Sequence, residues 1–513
     1  MNAAYRWLAC LSLSAAGAAA LVVLRPAHAR THPRPRSGTL SVELRGDDGA
    51  PIPARLTFRP VGDTAPPAFT SIDIAREEPG AITAFERAFV LRGDAELHVP
   101  AGTYDVWISH GPEWDTTRVR VDIAAGVDTE LRARLHHVVD TPGWISADLH
   151  VHSAASLDSR VPLRDRVFQF VADGVDLIVA TDHNVIADYA PVIAELGVRD
   201  LLASTTGDEI TTKQWGHFGA FPLPADDDEL GRGAIATGPR TAAQIFADVR
   251  ARAPGALIDV HHPRLEHGKL GYFAQAGLDF ATGHARAAGF SFDFDAVEVL
   301  NGYQDADRRT LARVLDDWIA LLDAGHRVAC TGNSDSHHLT FNLGGYPRNY
   351  VAVGDVDVAR LDPAAVAAAI KAGHSYFTTG PIVEATIAGK TYGDTVRVPP
   401  VADGGDPRVA LHVVVRAANW IIPTQLTVIG PGNAVLATQP IAPGSQPVRL
   451  DTTLTLPVHR DGYVILRVDG DHALAPNVGD AGSFVVYPIA VTNPIWLDRD
   501  GDGAVTPRAP HPR

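Results

Sequence analysis

The sequence predicts an α/β protein, with a central run of strand–helix repeats set between two β-rich segments. Three observations carry this. Residues 38–135 alternate apolar and polar positions in short runs separated by Gly, Pro and Asp clusters, as half-buried strands do. Residues 144–384 instead show continuous apolar runs, such as Val175-Asp-Leu-Ile-Val-Ala-Thr-Asp-His183, between stretches of helical spacing. That is the texture of parallel strands covered on both faces. Alternation then returns over residues 389–489. A chain of 513 residues has room for about three domains. Texture places them at 38–138 (a β-sandwich), 140–385 (the strand–helix unit) and 389–490 (a second β-domain), with a tail at 491–513.

Composition narrows the class. Hydrophobic residues are 46% and charged residues 20% of the chain, enough apolar material for a sizeable core. The formal charge of -16 speaks against a nucleic-acid partner, because a phosphate backbone requires a basic face. Arg6, the apolar run 7–24, Pro26 and the small-x-small triplet Ala27-His28-Ala29 read as an export signal spanning 1–29. A retained anchor is the alternative reading of that run. The expectation is a periplasmic or secreted protein with no stable membrane span after cleavage. Of the two cysteines, only Cys330 would remain, so no intramolecular disulfide is expected.

The elements follow in order. Strands are expected at 39–45, 54–59, 95–100, 103–109 and 117–123, then at 143–152. Helical spacing covers 163–173 and the strand 175–183 follows; 188–196 is helical and 201–209 extended. A helix at 241–253 leads into the strand 256–262. The strand 296–301, the helix 308–324, the strand 326–335, the helix 364–372 and the strand 375–379 complete the central unit. Strands at 408–416, 425–430 and 463–469 belong to the last β-segment.

The ends of the central strands carry the chemistry. The first gives His150 and His152, which share a strand face because side chains i and i+2 point the same way. Asp158 lies in the loop behind them. The next ends supply Asp182 and His183, then Glu209 with His217 eight residues on, then His261-His262-Pro263, and finally Asp335 with His337 and His338. Five His/Asp/Glu clusters at the C-terminal ends of successive strands, where such folds build their sites, point to a metal centre. His150, His152, Asp158, His183, Glu209, His217, His262, Asp335 and His337 are the candidate ligands. They are too many for one ion, which usually takes three protein ligands and keeps a position open. Two or three ions fit the number, with Glu209 or Asp335 bridging ions about 3.5–4 Å apart.

In this order, Asp-Leu-His-Val-His, Thr-Asp-His-Asn, Gly-Asp-Glu followed by Gly-His-Phe, His-Pro and Asn-Ser-Asp-Ser-His resemble the polymerase-and-histidinol-phosphatase (PHP) metallohydrolases. They are similar in particular to the exported branch that includes enzymes of the carbaryl-hydrolase type. The resemblance covers about residues 140–385. It implies a distorted (β/α)7 barrel with β-sandwich-like domains on either side and a di- or trinuclear site. It also implies ligand sets: His150, His152, Glu209 and Asp335 for a first ion; Glu209, His217 and His262 for a second; Asp158, His183 and His337 for a third. Many members read Ser-Asp-Gly where this chain has Ser156-Leu-Asp158-Ser, with the carboxylate one place later. His262 is favoured over His261 because the family places its histidine directly before proline. Asp148 and Asp182 are expected to orient imidazoles or strand ends. A polymerase-associated role is excluded by the export signal and the missing polymerase domain.

Arg264, Lys213 and Arg348 are candidate receivers of an anionic substrate, and His338 is a candidate substrate contact. Cys330 and Tyr376 read as core. Asp498, Asp500 and Asp502, with Gly503, match the start of a calcium loop that lacks the terminal bidentate glutamate.

The chemistry implied is metal-assisted hydrolysis. Water bridging two ions is acidified and attacks as hydroxide, with Asp335, Glu209 or a site histidine handling the proton. The cofactors expected are two or three divalent transition-metal ions (zinc, manganese or iron), with calcium a candidate in the tail. A phosphate ester is the first expectation for the small-molecule substrate, and a carboxylic or carbamic ester the second. A non-catalytic surface-binding protein with a retained metal centre is the alternative from another class.

Overall fold

The computed structural model describes residues 37–264, 271–305, 308–401, 405–480 and 484–505. The export segment expected at 1–29 lies outside them. No helix among the described residues is long and apolar enough to cross a membrane.

The architecture is mixed α/β, with sheets predominating. In the N-terminal region, a six-stranded sheet built on Ala54–Pro60 and Gly102–Ser109 and a three-stranded sheet centred on Ser37–Arg45 share one apolar cluster. Leu40, Val42 and Leu44 alternate with more exposed residues to supply one side of it. Four strands there, Arg76–Glu78, Ala81–Ala84, Arg87–Val90 and Asp128–Arg134, are not among those expected from the sequence.

The central strands divide between two sheets. Trp144–Val151, Leu177–Ala180 and Ala203–Thr206 run parallel in one. Leu257–His261, Ala296–Asn301 and Ala329–Asn333 run parallel in the other. The stretch 201–209, expected as one strand, breaks at Gly207: Ala203–Thr206 stays in the first sheet and Asp208–Thr212 starts the second. A Cβ on Gly207 would lie 2.8 Å from the Ala220 carbonyl oxygen and 2.9 Å from Val179, so glycine is needed where the chain crosses. Asp208–Thr212 then forms an antiparallel hairpin with Gly216–Phe221, a strand not expected from the sequence. Two parallel triplets are therefore joined by an antiparallel hairpin, and Arg348–Ala352 and Ser375–Thr378 extend the first sheet antiparallel beyond Trp144–Val151.

Between the sheets lies an apolar layer drawn from both: Ile145, Ala147, Leu149, Leu177, Val179, Leu257, Ala296 and Ala329, closed by Val366, Ala367 and Ile370 of the helix Pro363–Lys371. Further along the same strands come Asp259, Glu298, Thr331 and Asn333, all buried and polar, and beyond them the histidines. A register shift between Asp148 and Val151 changes the side-chain parity of the first strand. Leu149 thus joins the apolar layer while His150 and His152 both join the polar end.

Outside the second sheet packs Leu311–Asp323, which buries Leu311, Val314, Leu315, Trp318 and Leu322 at helical spacing. Ala242–Arg252 packs in the same cluster, and its first turn is held by a capping box between Thr241 and Gln244.

The segments 140–385 and 389–490 share one sheet. Ile489–Thr492 lies between Ser375–Thr378 and Gly462–Asp469, so an eleven-stranded sheet runs from the central unit into the C-terminal region.

Candidate metal centre

Glu209, at the start of the crossing hairpin, is the hub. Its Oε1 lies 3.1 Å from His150 Nε2, His217 Nδ1 and His261 Nδ1, and 3.2 Å from His262 Nε2. Its Oε2 lies 2.6 Å from His183 Nδ1 and 3.4 Å from His152 Nε2. Asp335 is the second hub: Oδ1 is 3.2 Å from His150 Nε2, 3.1 Å from His152 Nε2 and 3.2 Å from His337 Nδ1. Asp158 Oδ2 bridges His183 Nε2 at 3.0 Å and His337 Nε2 at 3.3 Å. All nine expected ligands are thus brought together. Groups able to hold a metal ion include His150/His152/Asp335, His150/Glu209/His262, His183/Glu209/His217 and His152/Asp158/His183/His337.

Several of these contacts are not hydrogen bonds. His150 Nε2, His152 Nε2, Glu209 Oε2 and Asp335 Oδ1 are buried and have no hydrogen-bond partner. Buried polar atoms left unpaired are costly and require an explanation. Separations of 3.1–3.4 Å between these donor atoms match the edges of a tetrahedron or octahedron whose metal–ligand bonds are about 2.1 Å. The residues present therefore fit a cation.

Electrostatics agree. Burial would raise the Glu209 carboxyl, but the imidazoles of His150, His217 and His183 hold it well below its usual range. Asp335 is likewise buried, and is held low by His150 and His337. Burial brings His152 down to about 3 and His261 to about 4, favouring the neutral imidazole that a metal requires. The carboxylates beside them instead outweigh burial and raise His150, His262 and His337, and His183 to about 10, so without an ion these imidazoles serve as the counter-charges.

The backbone at the site is unusual. Asn184, His262 and Asp335 have φ of 53°, 27° and 50°, in the left-handed region that non-glycine residues seldom occupy. Fixed polar contacts hold the ligands from behind. Asp182 accepts from Ser156 Oγ, which in turn meets His152 Nδ1 at 3.0 Å, so it orients that imidazole through serine. Asp148 accepts the backbone N–H groups of Ser334 and Gly345 and ties strand ends together. Arg166, fully buried on the helix Leu163–Ala172, donates to the carbonyls of His152, Ser336 and His338 and so joins the two loops that carry His152 and His337.

One residue escapes sequence reasoning, and a second is passed over there in favour of its neighbour. Glu298, inside Ala296–Asn301, accepts from His150 Nδ1 at 2.9 Å. His150 holds its carboxyl down at about 2 against burial. A single acid in Ala-Val-Glu-Val-Leu-Asn looks like ordinary strand alternation; only its place one residue past the apolar layer marks it. His261, set aside in favour of His262, is completely buried, stacks on His150 at 3.6 Å and reaches Glu209 as His262 does. It fits because Gly219, on the neighbouring strand, has no side chain; a Cβ there would lie 2.2 Å from His261 Nε2.

The candidate substrate residues separate. Arg264 is committed to Asp317 through two nitrogens and lies over Phe280. Arg348 is buried on the carbonyls of Gly345, Gly174 and Asp173, which is a structural role. Lys213 is exposed and lines a cavity of about 590 Å³ with Asn184 and Thr211, and Thr211 Oγ1 is 2.6 Å from His183 Nδ1. His338 Nδ1 meets Asp73 of the N-terminal region at 2.6 Å, and the Leu339 and Thr340 N–H groups donate to Ile72. Tyr303 stands 5.2 Å from the His337 ring. Cys330 and Tyr376 are buried in the core. In the tail, Asp498 accepts from the N–H groups of Gly501 and Gly503, Asp500 from Asp502 and Asp502 from Ala504, so these carboxylates fold the turn onto itself.

The site thus defines a class: a buried imidazole–carboxylate cage with more ligands than one ion can use. No family model matches the chain, and no curated protein matches it. Among solved structures the chain is similar to a candidate metal-dependent phosphoesterase from Bifidobacterium adolescentis, at 18% identity over 42% of this chain and 94% of that one, with a TM-score of 0.27. It is also similar to Endonuclease Q, solved with a 27-mer duplex carrying an abasic lesion, at 15% identity over 42% of this chain and a TM-score of 0.27. The chain spans 56% of that protein's length. Similarity this distant leaves the site's own geometry to decide its chemistry.

Proposed function

We propose that this protein is a metal-dependent ester hydrolase of the PHP type, with residues 140–385 as a distorted barrel, acting on phosphoesters outside the cytoplasm. The observation that carries the reading is the convergence of four buried, unpartnered donor atoms, on His150, His152, Glu209 and Asp335, at ion-ligand spacing. These residues would hold the first ion, Glu209 with His217 and His262 a second, and Asp158, His183 and His337 a third. Imidazole and carboxylate together suit zinc, manganese or iron. When bound, such ions supply Lewis-acid activation of water and neutralise charge on the attacked ester.

The chain's own groups do the rest. Glu209 spans the donor sets: Oε1 faces His150, His217 and His262, and Oε2 faces His152 and His183. Asp335 has Oδ2 engaged by Asn301, which fixes the carboxylate with Oδ1 facing the cage, where it would serve the first ion. Burial keeps bulk water from the donor atoms. Lys213, in the cavity beside His183, is an exposed cation that suits an anionic substrate. A carboxylic or carbamic ester is the second reading, favoured by fully exposed Leu157 next to Asp158 and by exposed Tyr303.

Purified protein supplied with manganese, zinc or iron should hydrolyse mono- or bis-p-nitrophenyl phosphate, lose the activity to a chelator and regain it with metal. Turnover of 1-naphthyl carbamate alone would select the second reading. Protein that binds no transition metal would end both. For location, the mature protein from its native host should begin at Arg30; an N-terminus at Met1 would refute cleavage.

A further inference from the structure

Glu298 is assigned to none of the three ions above, although its atoms with those of His150 and His261 form a further group close enough to hold one. Its Oε1 accepts from His150 Nδ1 and from Asn333 Nδ2, both at 2.9 Å. Its Oε2 accepts from the His262 backbone N–H and from Asn301 Nδ2, both at 2.8 Å. The two amides are fixed in orientation from their other ends. Asn333 Oδ1 accepts from Asn349 Nδ2 at 2.7 Å, and Asn301 Oδ1 accepts from the Tyr303 N–H at 3.1 Å. Asn301 Nδ2 also donates to Asp335 Oδ2 at 3.0 Å.

A carboxylate offers about four lone-pair directions. Four donors fill all of them, so no lone pair remains for an ion, and the group must be an acceptor at both oxygens. What it can do is orient. We infer that Glu298 is the positioning residue of the centre: one carboxylate fixes the tautomer and ring plane of His150, the backbone entry to His262 and, through Asn301, the rotamer of Asp335. With Nδ1–H given to Glu298, His150 must present Nε2 to the cage, and Nε2 is the atom that lies between Glu209 and Asp335. Three ligands from three strands are thereby set by one side chain that is itself completely buried. This inference rests on the metal-centre reading.

The test is Glu298→Gln. Glutamine keeps the volume but replaces one acceptor by a donor, which must face two N–H groups on one side or the other. Variant and wild type are compared by competition against a chelator for zinc and by the visible spectrum of the cobalt(II) form, with urea midpoints in excess chelator as the check on folding. The expected result is a folded variant with zinc affinity about 10- to 100-fold weaker and a changed cobalt spectrum. A folded variant with wild-type affinity and spectrum overturns the assignment while leaving the metal centre standing. Wild-type protein that binds neither ion removes the centre and this inference together. Should Glu298→Gln fail to fold, Asn301→Ala decides instead: it removes the amide shared by Glu298 and Asp335. Weaker zinc binding with the chelator-state midpoint unchanged supports the assignment, and unchanged binding overturns it.

Discussion

Replacing Arg166 by methionine tests whether the two ligand-bearing loops are held together from behind. The guanidinium is fully buried and donates to the His152 carbonyl at 2.8 Å and to the Ser336 and His338 carbonyls at 2.7 Å each. Methionine fills the space of the stem but donates nothing. The His152 carbonyl loses its donor and, unpaired, costs about 1–3 kcal/mol. The Ser336 carbonyl keeps the His152 N–H and the His338 carbonyl keeps the Ser336 hydroxyl. Each of these two therefore loses one bond, about 0.5–1.5 kcal/mol, giving roughly 2–6 kcal/mol together. Part of this is offset, because a buried guanidinium is itself poorly solvated; burial brings its pKa down to about 10. The expected net destabilisation is therefore about 2–4 kcal/mol, as expected when a buried polar network is broken. Urea unfolding in excess chelator measures it without any metal contribution. Zinc affinity should fall as well, since His152 and His337 sit on the loops released. Arg166→Lys should fall between, because a lysine can reach only some of the carbonyls. A loss below about 1 kcal/mol with zinc affinity unchanged would refute the reasoning, since one unpaired carbonyl and two that each lose a charged donor cannot be that cheap.

Three further outcomes are expected. Glu209→Gln should reduce turnover by at least about 10²-fold and lower the number of ions bound, measured by elemental analysis of the dialysed protein; full metal content would remove Glu209 from the hub. Asp176 is partly buried against Ser146, and desolvation raises its carboxyl from 3.8 to about 6. Between those values the folded state holds a proton that the unfolded state has lost, so stability falls as pH rises through the window and the penalty is complete above about 6. The difference is on the order of 3 kcal/mol. Asp176→Asn should remove that part of the pH slope in urea midpoints taken from pH 4 to 7, and an identical slope in the variant would contradict it. Lys213→Ala should raise KM for a phosphate ester more than it lowers kcat, and a KM equal to wild type would exclude Lys213 from substrate binding.

The polar residues at the strand ends were legible because each cluster is local: His150 with His152, Asp182 with His183, Asp335 with His337. Their meeting in one cage follows from parallel strands that share a direction, which continuous apolar runs announce. What stayed hidden depends on distant partners. The acid of Ala296–Asn301 means little until His150 is seen beside it. Choosing between His261 and His262 required knowing that Gly219 lies opposite. The break at Gly207 could not be read, because the carbonyl that forbids a side chain there belongs to Ala220. Arg348 looked like a surface cation near the site and is instead held on three buried carbonyls.

The placement of Ile489–Thr492 has a consequence for biogenesis. Its neighbour Ser375–Thr378 is synthesised 111 residues earlier, counted from 378 to 489, and cannot complete its hydrogen bonding on that side until the late strand arrives. At roughly 5–20 residues per second the ribosome needs about 6–22 s for that interval. For that time a sheet forming on the nascent chain keeps a raw edge, which marks out the period when a chaperone has the best hold on the polypeptide.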